Sequence, residues 1–426
     1  MKLNHIYKSI ACGVLLAMTA TSCDLDYNPV DTYSDVTEGV NKTDEKPIFN
    51  SVQDVETSMV TLHKKFRDQQ EHWYVDKLLI GDAHSDNAYA GTTGAEVVPY
   101  ETNSIEGSNS VLKRDWDRFL GDIAVANRII VGCDQLKALS ESERGKYQSQ
   151  AKIFRAMVMF DMVRLWGNFP VITTVGGDIT EDNVEEMYPT YFPPQNTAEE
   201  AYAQIEKDLT EAVENPNTPT NDTSDKSILT KSVARAMLAK VYAEKPLRDY
   251  AKVIKYADEL AADGFDLVED FSDLWAYDTE KKDCRVRNTK EAILEAHFPP
   301  GSGNWCTWMF GRNLSNWDES FTWAKWITPS RDLIRLYEEQ GDTKRYNESV
   351  VWYDCGWSNY YPADHYAFMY KCRSAFNSII YLRYAAPQSR SKNYGRGSRP
   401  ERCSRHHRPH PQPRRTGQTS TKHPQQ

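Results

Sequence analysis

The chain has 426 residues, enough for a large hydrophobic core, and a formal net charge of −10. Nucleic-acid binding needs a concentrated basic surface, and basic runs are scarce before residue 386, so the sequence argues against a nucleic-acid partner. The more unusual feature is an aromatic content of 12%, with 11 tryptophans and 24 tyrosines, some of which must lie in the core.

The first 22 residues have the order of a signal peptide. Lys2 and Lys8 supply positive charge, and residues 10–20 form an apolar stretch that is too short to span a bilayer comfortably. Small residues then precede Cys23, which resembles the lipobox of bacterial lipoproteins, although Ala20 replaces the usual leucine. We therefore predict removal of the signal peptide and lipidation of Cys23. The alternative is ordinary cleavage nearby, with Cys23 as a free thiol.

The other cysteines give no metal or disulfide pattern. Cys12 is lost with the signal peptide, and the remaining thiols have no C-x-x-C pair and no nearby histidine spacing. We expect isolated buried thiols, no metal and no cofactor. These cysteines are Cys133, Cys284, Cys306, Cys355, Cys372 and Cys403.

Helical periodicity begins after a polar leader that ends near residue 47. Apolar residues at helical spacing predict amphipathic helices over 52–69 and 115–131. Residues 81–109 lie between them, are rich in Gly, Ser, Thr, Asn and Asp, and have no sustained period, which indicates a long loop. Residues 150–166 are apolar almost all round and predict a helix buried on more than one side.

Further helices are predicted in quick succession. Thr197 and Glu200 form a capping box ahead of an apolar stripe that ends near residue 213. Residues 229–242 and 249–261 predict two more helices. Helix pairs at this spacing resemble irregular tetratricopeptide-type repeats, so the predicted fold class is mainly α.

The chain changes character twice towards its C-terminus. Residues 265–361 have short apolar pieces, many aromatics and frequent turns, with a short strand at 293–298 and a helix at 329–339. This pattern predicts an irregular, loop-built binding region on a helical frame. Residues 386–426 are rich in Arg, Pro, His, Gln and Ser and have little apolar surface, which predicts a disordered tail.

Several motifs follow one another in a fixed order along the chain. The strongest is Gln150-Ala151-Lys152-Ile153-Phe154-Arg155-Ala156, which continues through Arg164-Leu165-Trp166-Gly167-Asn168-Phe169-Pro170. The others are Trp116 with Ala126-Asn127, residues 203–212, residues 229–242, residues 291–298 with Thr328-Pro329-Ser330, and residues 381–385. Together these motifs resemble the SusD/RagB family of outer-membrane lipoproteins in Bacteroidetes, in which residues 381–385 would open the next helix. The acidic start at Asp24 and Asp26 resembles the surface-export signal of Bacteroidetes lipoproteins.

The resemblance spans residues 23–385 and implies a SusD-like domain. It implies tetratricopeptide-like helix pairs under an irregular face, oligosaccharide captured on aromatic rings, and a lid-like role on a SusC-type TonB-dependent transporter. It also implies a lipid-anchored protein at the cell surface that takes part in nutrient uptake and is not an enzyme. The chain departs from the family at residue 386, where the abrupt break suggests a frameshift. With a genuine tail, we expect Ile379, Ile380 and Leu382 to form an uncovered apolar face.

Two segments combine flat rings with polar side chains that suit sugar hydroxyls. The first contains Trp73, Asp82, Asp86 and Asn87, and the second is residues 305–326. In the second, the predicted glycan-binding residues are Trp305, Trp308, Trp317 and Trp323, interleaved with asparagines and an arginine.

Other interpretations of these residues stay open. Tryptophans in a large domain often pack in the core, which we expect for Trp116, Trp166 and Trp275 and weigh evenly for residues 305–326. Asp82 and Asp86 could cap a helix or bind calcium, but the spacing of an EF-hand is absent. A glycosidase requires two carboxylates that flank the scissile bond, and the spacing of paired acids in the sequence cannot show such an arrangement. The helix pairs by themselves also permit a scaffold that binds a protein or peptide.

Overall fold

The computed structural model describes residues 47–90, 96–177, 179, 183–275, 277–278, 280, 283–298, 326–353, 361–362, 365–371 and 379–383. The chain divides into two units, 1–386 and 387–426, and all described residues lie in the first. The predicted signal peptide, the lipidation site at Cys23 and the C-terminal tail therefore lie outside the described residues.

The first helix confirms the prediction for residues 52–69. Helix α1 (Val52–Asp68) begins at a capping box formed by Ser51 and Asp54, and it buries one face into the core. Helical turns continue the chain as a π-helix (Glu71–Val75), a short helix α2 (Asp76–Leu78) and a second π-helix (Leu79–Ala83). The predicted loop at 81–109 also contains strand β1 (Ala88–Ala90) and helix α3 (Val98–Glu101).

The predicted helical frame is present. It consists of α4 (Ser110–Gln135), α5 (Glu141–Trp166), α6 (Val184–Tyr191), which the sequence did not predict, α7 (Ala198–Glu214), α8 (Lys231–Ala243) and α9 (Tyr250–Ala262). Successive long helices pack on each other in the order α4, α5, α7, α8 and α9. This stacking is typical of tetratricopeptide-type repeats. None of the helices within the described ranges is both long enough and apolar enough to cross a membrane.

Helix α5 lies at the centre of the core. Residues 153–163 are all buried, as their apolar pattern predicted, and Gly167 ends the helix with a φ of 73° that favours glycine. The helix is longer than predicted because it begins at a capping box, which Ser140, the residue before the helix, forms with Glu143 in the first turn.

The remaining described elements are short. A 3₁₀ turn (Phe271–Leu274) precedes β2 (Tyr277–Asp278), β3 (Asp283–Cys284) and β4 (Ala292–Ala296). Then come β5 (Ile327–Pro329), α10 (Arg331–Gln340), α11 (Thr343–Ser349), β6 (Val350–Tyr353), β7 (Tyr366–Met369) and β8 (Ile379–Arg383). The strands form antiparallel pairs, namely β1 with β5, β2 with β3, β4 with β8, and β6 with β7.

The helix predicted to start at residue 381 is wrong over residues 381–383, which belong to β8. Strand β8 pairs with β4, with Ile379 opposite Ala296 and Leu382 opposite Leu294. All five residues of β4 are buried, so the backbone groups of this strand need an internal partner, which β8 supplies. Leu382 is only 3% exposed, so the expected uncovered apolar face is also wrong for this residue.

Candidate functional site

Pairing of β1 with β5 brings the end of the first predicted ligand segment next to Trp326, the last residue of the second. Tyr89 lies opposite Thr328, and Ala90 lies opposite Ile327. Trp326, the last tryptophan of the aromatic-rich segment, immediately precedes β5 and packs half-buried against the main core. The loop around residues 82–87 and the end of the aromatic-rich segment therefore meet at one place in the fold.

Ser330 fixes the position of Asp86 and Asn87. Its hydroxyl donates to the carbonyl oxygen of Asp86 at 2.6 Å, and its amide donates to the carbonyl oxygen of Asn87 at 2.9 Å. The same hydroxyl accepts from the Leu333 amide and caps α10. Both Asp86 and Asn87 are exposed. Because these contacts use their carbonyl oxygens, the two residues are held by the backbone while remaining open to solvent.

Asp82 lies half-buried one turn earlier. Its carbonyl oxygen accepts from the Ser85 amide at 3.2 Å and from the Ser85 hydroxyl at 2.9 Å. Burial raises the pKa of the Asp82 carboxyl, and the positive charge of Lys371 partly opposes that shift. The Lys371 ammonium also lies 5.3 Å from the ring centre of Trp275, so a third segment reaches this region.

The prediction that Trp73 binds ligand is wrong. The residue is fully buried in the main core, and its indole nitrogen donates to the Asp122 carboxylate at 3.0 Å. The rings of Phe66 and Phe154 lie 5.2 and 5.4 Å from its ring centre. A ring enclosed in this way has no face left for a sugar.

A cluster of rings that the sequence did not predict lies beside β1 and β5. We call Tyr89, Tyr346, Trp352, Tyr361 and His365 the ring cluster. Trp352 meets Tyr361 edge-on at 5.3 Å and stacks nearly parallel on His365 at 4.3 Å. Its indole nitrogen donates to the Tyr346 hydroxyl at 2.8 Å. The Tyr361 ring centre lies 6.4 Å from that of Tyr89.

The ring cluster has a buried base and an accessible rim. Tyr361 is buried, its hydroxyl donates to the Pro329 carbonyl oxygen at 2.7 Å, and burial raises its pKa to about 12. Trp352 and Tyr89 are half-buried, and His365 is exposed. The Arg331 guanidinium lies 4.8 Å from the Tyr361 ring centre. The rings of the cluster, the Arg331 guanidinium, the Asn87 amide and the Asp86 carboxylate thus occur on neighbouring segments.

Four of the predicted ligand residues, Trp305, Trp308, Trp317 and Trp323, lie outside the described residues. Within the described ranges, no group of three His, Cys, Asp or Glu side chains is arranged to hold a metal ion. Trp116 and Trp166 pack half-buried against the core, as predicted, and their rings meet edge-on at 5.3 Å. Trp275 is half-buried and lies outside the main core cluster.

Comparison with known proteins agrees with the fold. A model of SusD-like proteins described as "Starch-binding associating with outer membrane" matches residues 32–243, a range that ends with helix α8. The chain belongs to the SusD-like family. A SusD-like protein of Bacteroides ovatus is 25% identical to this SusD-like chain over 309 residues, which are 70% of the chain and 50% of the relative. The chain therefore spans about half the length of this curated relative.

Solved SusD-like structures share the fold. Surface glycan-binding protein A from Bacteroides uniformis aligns with a TM-score of 0.62 at 17% identity, covering 78% of this chain and 74% of that chain. The corresponding protein from Bacteroides thetaiotaomicron, in complex with laminarihexaose, aligns with a TM-score of 0.61 at 15% identity over 78% and 76% of the two chains. A laminarin-binding SusD-like protein aligns with a TM-score of 0.59 at 19% identity over 79% and 76%.

Proposed function

We propose that this SusD-like chain binds an oligosaccharide or polysaccharide. The proposed ligand residues are Asp82, Asp86 and Asn87 on the first segment, the rim of the ring cluster, and Trp305, Trp308, Trp317 and Trp323 on the second segment. The single observation that carries the proposal is the β1–β5 pairing, because it places the end of the first predicted segment beside Trp326, the last residue of the second, and next to partly exposed rings.

Sugars match this arrangement chemically. A pyranose ring presents C–H groups on its faces, which pack on the negative face of an aromatic ring, and hydroxyls at its edge, which need donors and acceptors. Asn87 can both donate and accept, and Asp86 can accept at two oxygens. The names of related proteins support the same ligand class, since one binds laminarin and another was solved with laminarihexaose.

The proposal extends to the cell surface. Lipidation at Cys23 would anchor the chain in the outer membrane, where a SusC-like TonB-dependent transporter would receive the captured glycan for nutrient uptake. In this role the chain binds and delivers without catalysis. Metabolic labelling with a fatty-acid analogue tests the anchor: the wild type and Ser22→Ala should carry the label, and Cys23→Ser should not. Equal labelling of all three would contradict lipidation at this residue.

A polysaccharide pull-down tests the binding function. We expect retention by at least one member of a panel of starch, laminarin and other soluble and insoluble glycans. The double variant Trp305→Ala/Trp308→Ala and the variant Asn87→Ala should each weaken retention at least tenfold. Asn87→Ala is suited to this test because the contact with Ser330 uses only the backbone of Asn87. Asp117→Ala, a change at an exposed residue of α4, is the matched control.

The outcomes separate the proposed function from its alternatives. Failure of every glycan in the panel to retain the wild type would overturn the proposal. The release of reducing ends would favour a glycoside hydrolase. Binding of a protein or peptide that is indifferent to these three variants would favour a helical scaffold.

A further inference from the structure

A separate groove lies on the helical frame. It has a volume of about 660 Å³, which is within the ~300–1,000 Å³ range of small-molecule sites. Its walls are α1, the first turns of α5 and the connection between α7 and α8. We call it the frame groove. None of its lining residues belongs to the ring cluster or to the 82–87 loop.

The lining of the frame groove combines one aromatic ring with amides and hydroxyls. Tyr147 is half-buried and contributes its ring, and Gln150 contributes an amide that is only 4% exposed. Asn221 and Thr223 contribute polar groups from the connection. The Gln150 amide nitrogen donates to the Lys146 carbonyl oxygen at 3.2 Å, which holds the side chain in the wall of the groove. An amide carries two N–H donors, so the second is left for a further contact.

The connection that forms one wall is held rigidly. Asn221 accepts from the Lys226 ammonium and donates to the Asp263 carbonyl oxygen at 3.3 Å. The Lys226 amide donates to the Asn288 side chain at 3.0 Å, and its carbonyl oxygen accepts from the Glu295 amide at 2.8 Å. A polar wall fixed in this way would lose little conformational entropy on binding a ligand.

The charges on the frame groove nearly balance. Lys146 is positive and Asp222 is negative, and Asp222 is already engaged by the Ser224 amide at 2.7 Å and the Ser224 hydroxyl at 2.6 Å. Burial lowers the pKa of His63, which favours its neutral form at pH 7. The groove offers no excess of positive or negative charge that would complement a highly charged ligand. A neutral ligand with many hydroxyls and an apolar face would match the lining.

From this lining we infer that the frame groove is a second carbohydrate-binding site, which takes a short neutral oligosaccharide against Tyr147 and Gln150. The inference rests on the proposed function for the ligand class only, because the two sites share no residue. Two sites on one chain would hold a long glycan at two points and raise its apparent affinity.

Hydroxyl-radical footprinting with maltohexaose and laminarihexaose tests the frame groove directly. Tyr147, His63 and Met59 line it and have oxidisable side chains. We expect at least one of the two hexasaccharides to protect Tyr147 and His63 in the wild type. Calorimetry with the same sugar should give two sites on the wild type and one on Tyr147→Ala, with an affinity loss of at least tenfold at the groove.

Two further variants keep the test informative. Tyr147 also packs against the core, so Thr223→Arg blocks the groove from an exposed position without removing a core contact. Tyr250→Ala, at a 58% exposed tyrosine on α9, is the matched control and should bind like the wild type.

The possible outcomes distinguish the two sites. Protection limited to the ring cluster, with Thr223→Arg binding like the wild type, overturns the second site and leaves the proposed function intact. Protection limited to the frame groove supports the second site and contradicts the first. Protection of the groove by a mixture of tryptic casein peptides, and by neither hexasaccharide, overturns the carbohydrate assignment. No protection anywhere by either sugar overturns the inference.

Discussion

Gly132 lies where α4 contacts the segment before α1, and a methyl group added at this position should disturb that contact. A Cβ atom at this position of α4 would lie 2.4 Å from two ring carbons of Phe49 and 2.9 Å from a methyl carbon of Ile48. Phe49 is only 2% exposed, so its ring has little room to move. The absence of a side chain at Gly132 therefore lets the segment before α1 pack on α4.

We predict that Gly132→Ala destabilises the chain and that Gly121→Ala in the same helix stabilises it. Overpacking typically costs about 1–3 kcal/mol, whereas replacing glycine by alanine inside a helix gains about 0.5–1 kcal/mol. At Gly121 the nearest atom to an added Cβ is the Lys65 ammonium at 3.8 Å, so only the gain applies. Urea unfolding of both variants measures the difference. Equal shifts would contradict close packing at Phe49.

Asp115 and Asp76 form a buried pair of carboxyl groups. Both residues are at most 1% exposed, and one oxygen of each has no hydrogen-bond donor among the described residues. The Arg114 guanidinium donates to Asp76. Burial, followed by the charge of Asp76, raises the pKa of Asp115 well above its ordinary value of 3.8. A proton held by Asp115 would provide the missing donor between the two carboxyl groups.

This proton should make stability fall as the pH rises. Above pH 3.8 the unfolded chain releases the Asp115 proton while the folded chain keeps it, so the free energy of unfolding decreases until the raised folded pKa is reached. The slope is at most about 1.4 kcal/mol per pH unit. In Asp115→Asn the amide can donate to Asp76 without titrating. We predict that the free energy of unfolding of Asp115→Asn, taken relative to that of the wild type, increases from pH 5 to pH 8.

Asp117→Asn is the control for that prediction. Asp117 is exposed on the same helix and pairs with Lys113 at 2.6 Å, so its variant should follow the wild-type pH profile. Denaturant unfolding at several pH values provides the measurement. A difference between Asp115→Asn and the wild type that stays constant with pH would show that Asp115 does not hold the proton.

At the scale of elements, the start of α4 is tied to the candidate site. The Asn109 side chain accepts from the Val111 amide at 3.0 Å and caps the helix, and its amide group donates to the Glu96 carbonyl oxygen at 3.2 Å. The segment after Glu96 contains α3, where the Glu101 carboxylate accepts from the Ala90 amide in β1 at 2.8 Å. The cap of α4 is therefore connected to the strand that brings the ligand segments together.

Asn109→Ala should weaken this connection. Loss of an N-cap side chain typically costs about 0.5–2 kcal/mol, and the tie to Glu96 is lost with it. Asn109→Asp keeps the capping oxygen and loses only the donor to Glu96, so it should retain most of the stability. Urea unfolding, with hydrogen exchange at the Val111 and Leu112 amides, measures both effects. Faster exchange at these amides in Asn109→Asp than in Asn109→Ala would contradict the proposed cap.

At the scale of the whole molecule, the local sequence pattern predicted the helical frame. Which residues line the candidate site depends instead on contacts between residues that are distant in sequence. The burial of α5 on more than one side and the capping box at Thr197 depend on neighbours in sequence, and both were predicted. Whether Trp73 was a ligand ring or a core ring depended on Asp122, which lies 49 residues away. No local signal distinguishes a tryptophan whose indole nitrogen has a buried acceptor from one that faces solvent.

The ring cluster and β8 escaped prediction for the same reason. Trp352 and His365 stack because β6 and β7 pair. The sequence of either strand alone does not show which residues of the two strands lie opposite each other. The short apolar runs at residues 350–353 and 366–369 could have predicted the two strands but not their contact. Residues 379–383 become a strand because β4 offers a partner.

One buried network links three helices of the frame. The Arg155 guanidinium on α5 donates two bonds to the Asp208 carboxylate on α7, at 2.8 and 2.7 Å, and one to the Asn127 amide oxygen on α4 at 2.7 Å. Asn127 in turn donates to the Ile172 carbonyl oxygen at 2.9 Å. Three helices and a connection therefore depend on one guanidinium, which explains why an arginine interrupts the apolar surface of α5.

Arg155→Leu should destabilise the chain by about 3–5 kcal/mol, because it leaves the Asp208 carboxylate buried without its cation. Arg155→Lys should recover little, since an ammonium cannot reproduce the paired bonds to Asp208 together with the bond to Asn127. In contrast, the double variant Arg155→Leu/Asp208→Leu removes both charges and should be far more stable than Arg155→Leu alone. A double-mutant cycle from urea unfolding measures this coupling. Additive effects of the two substitutions would mean that Asp208 is satisfied by other groups, such as the Gln204 amide 2.9 Å away, and that the network does not unite the helices.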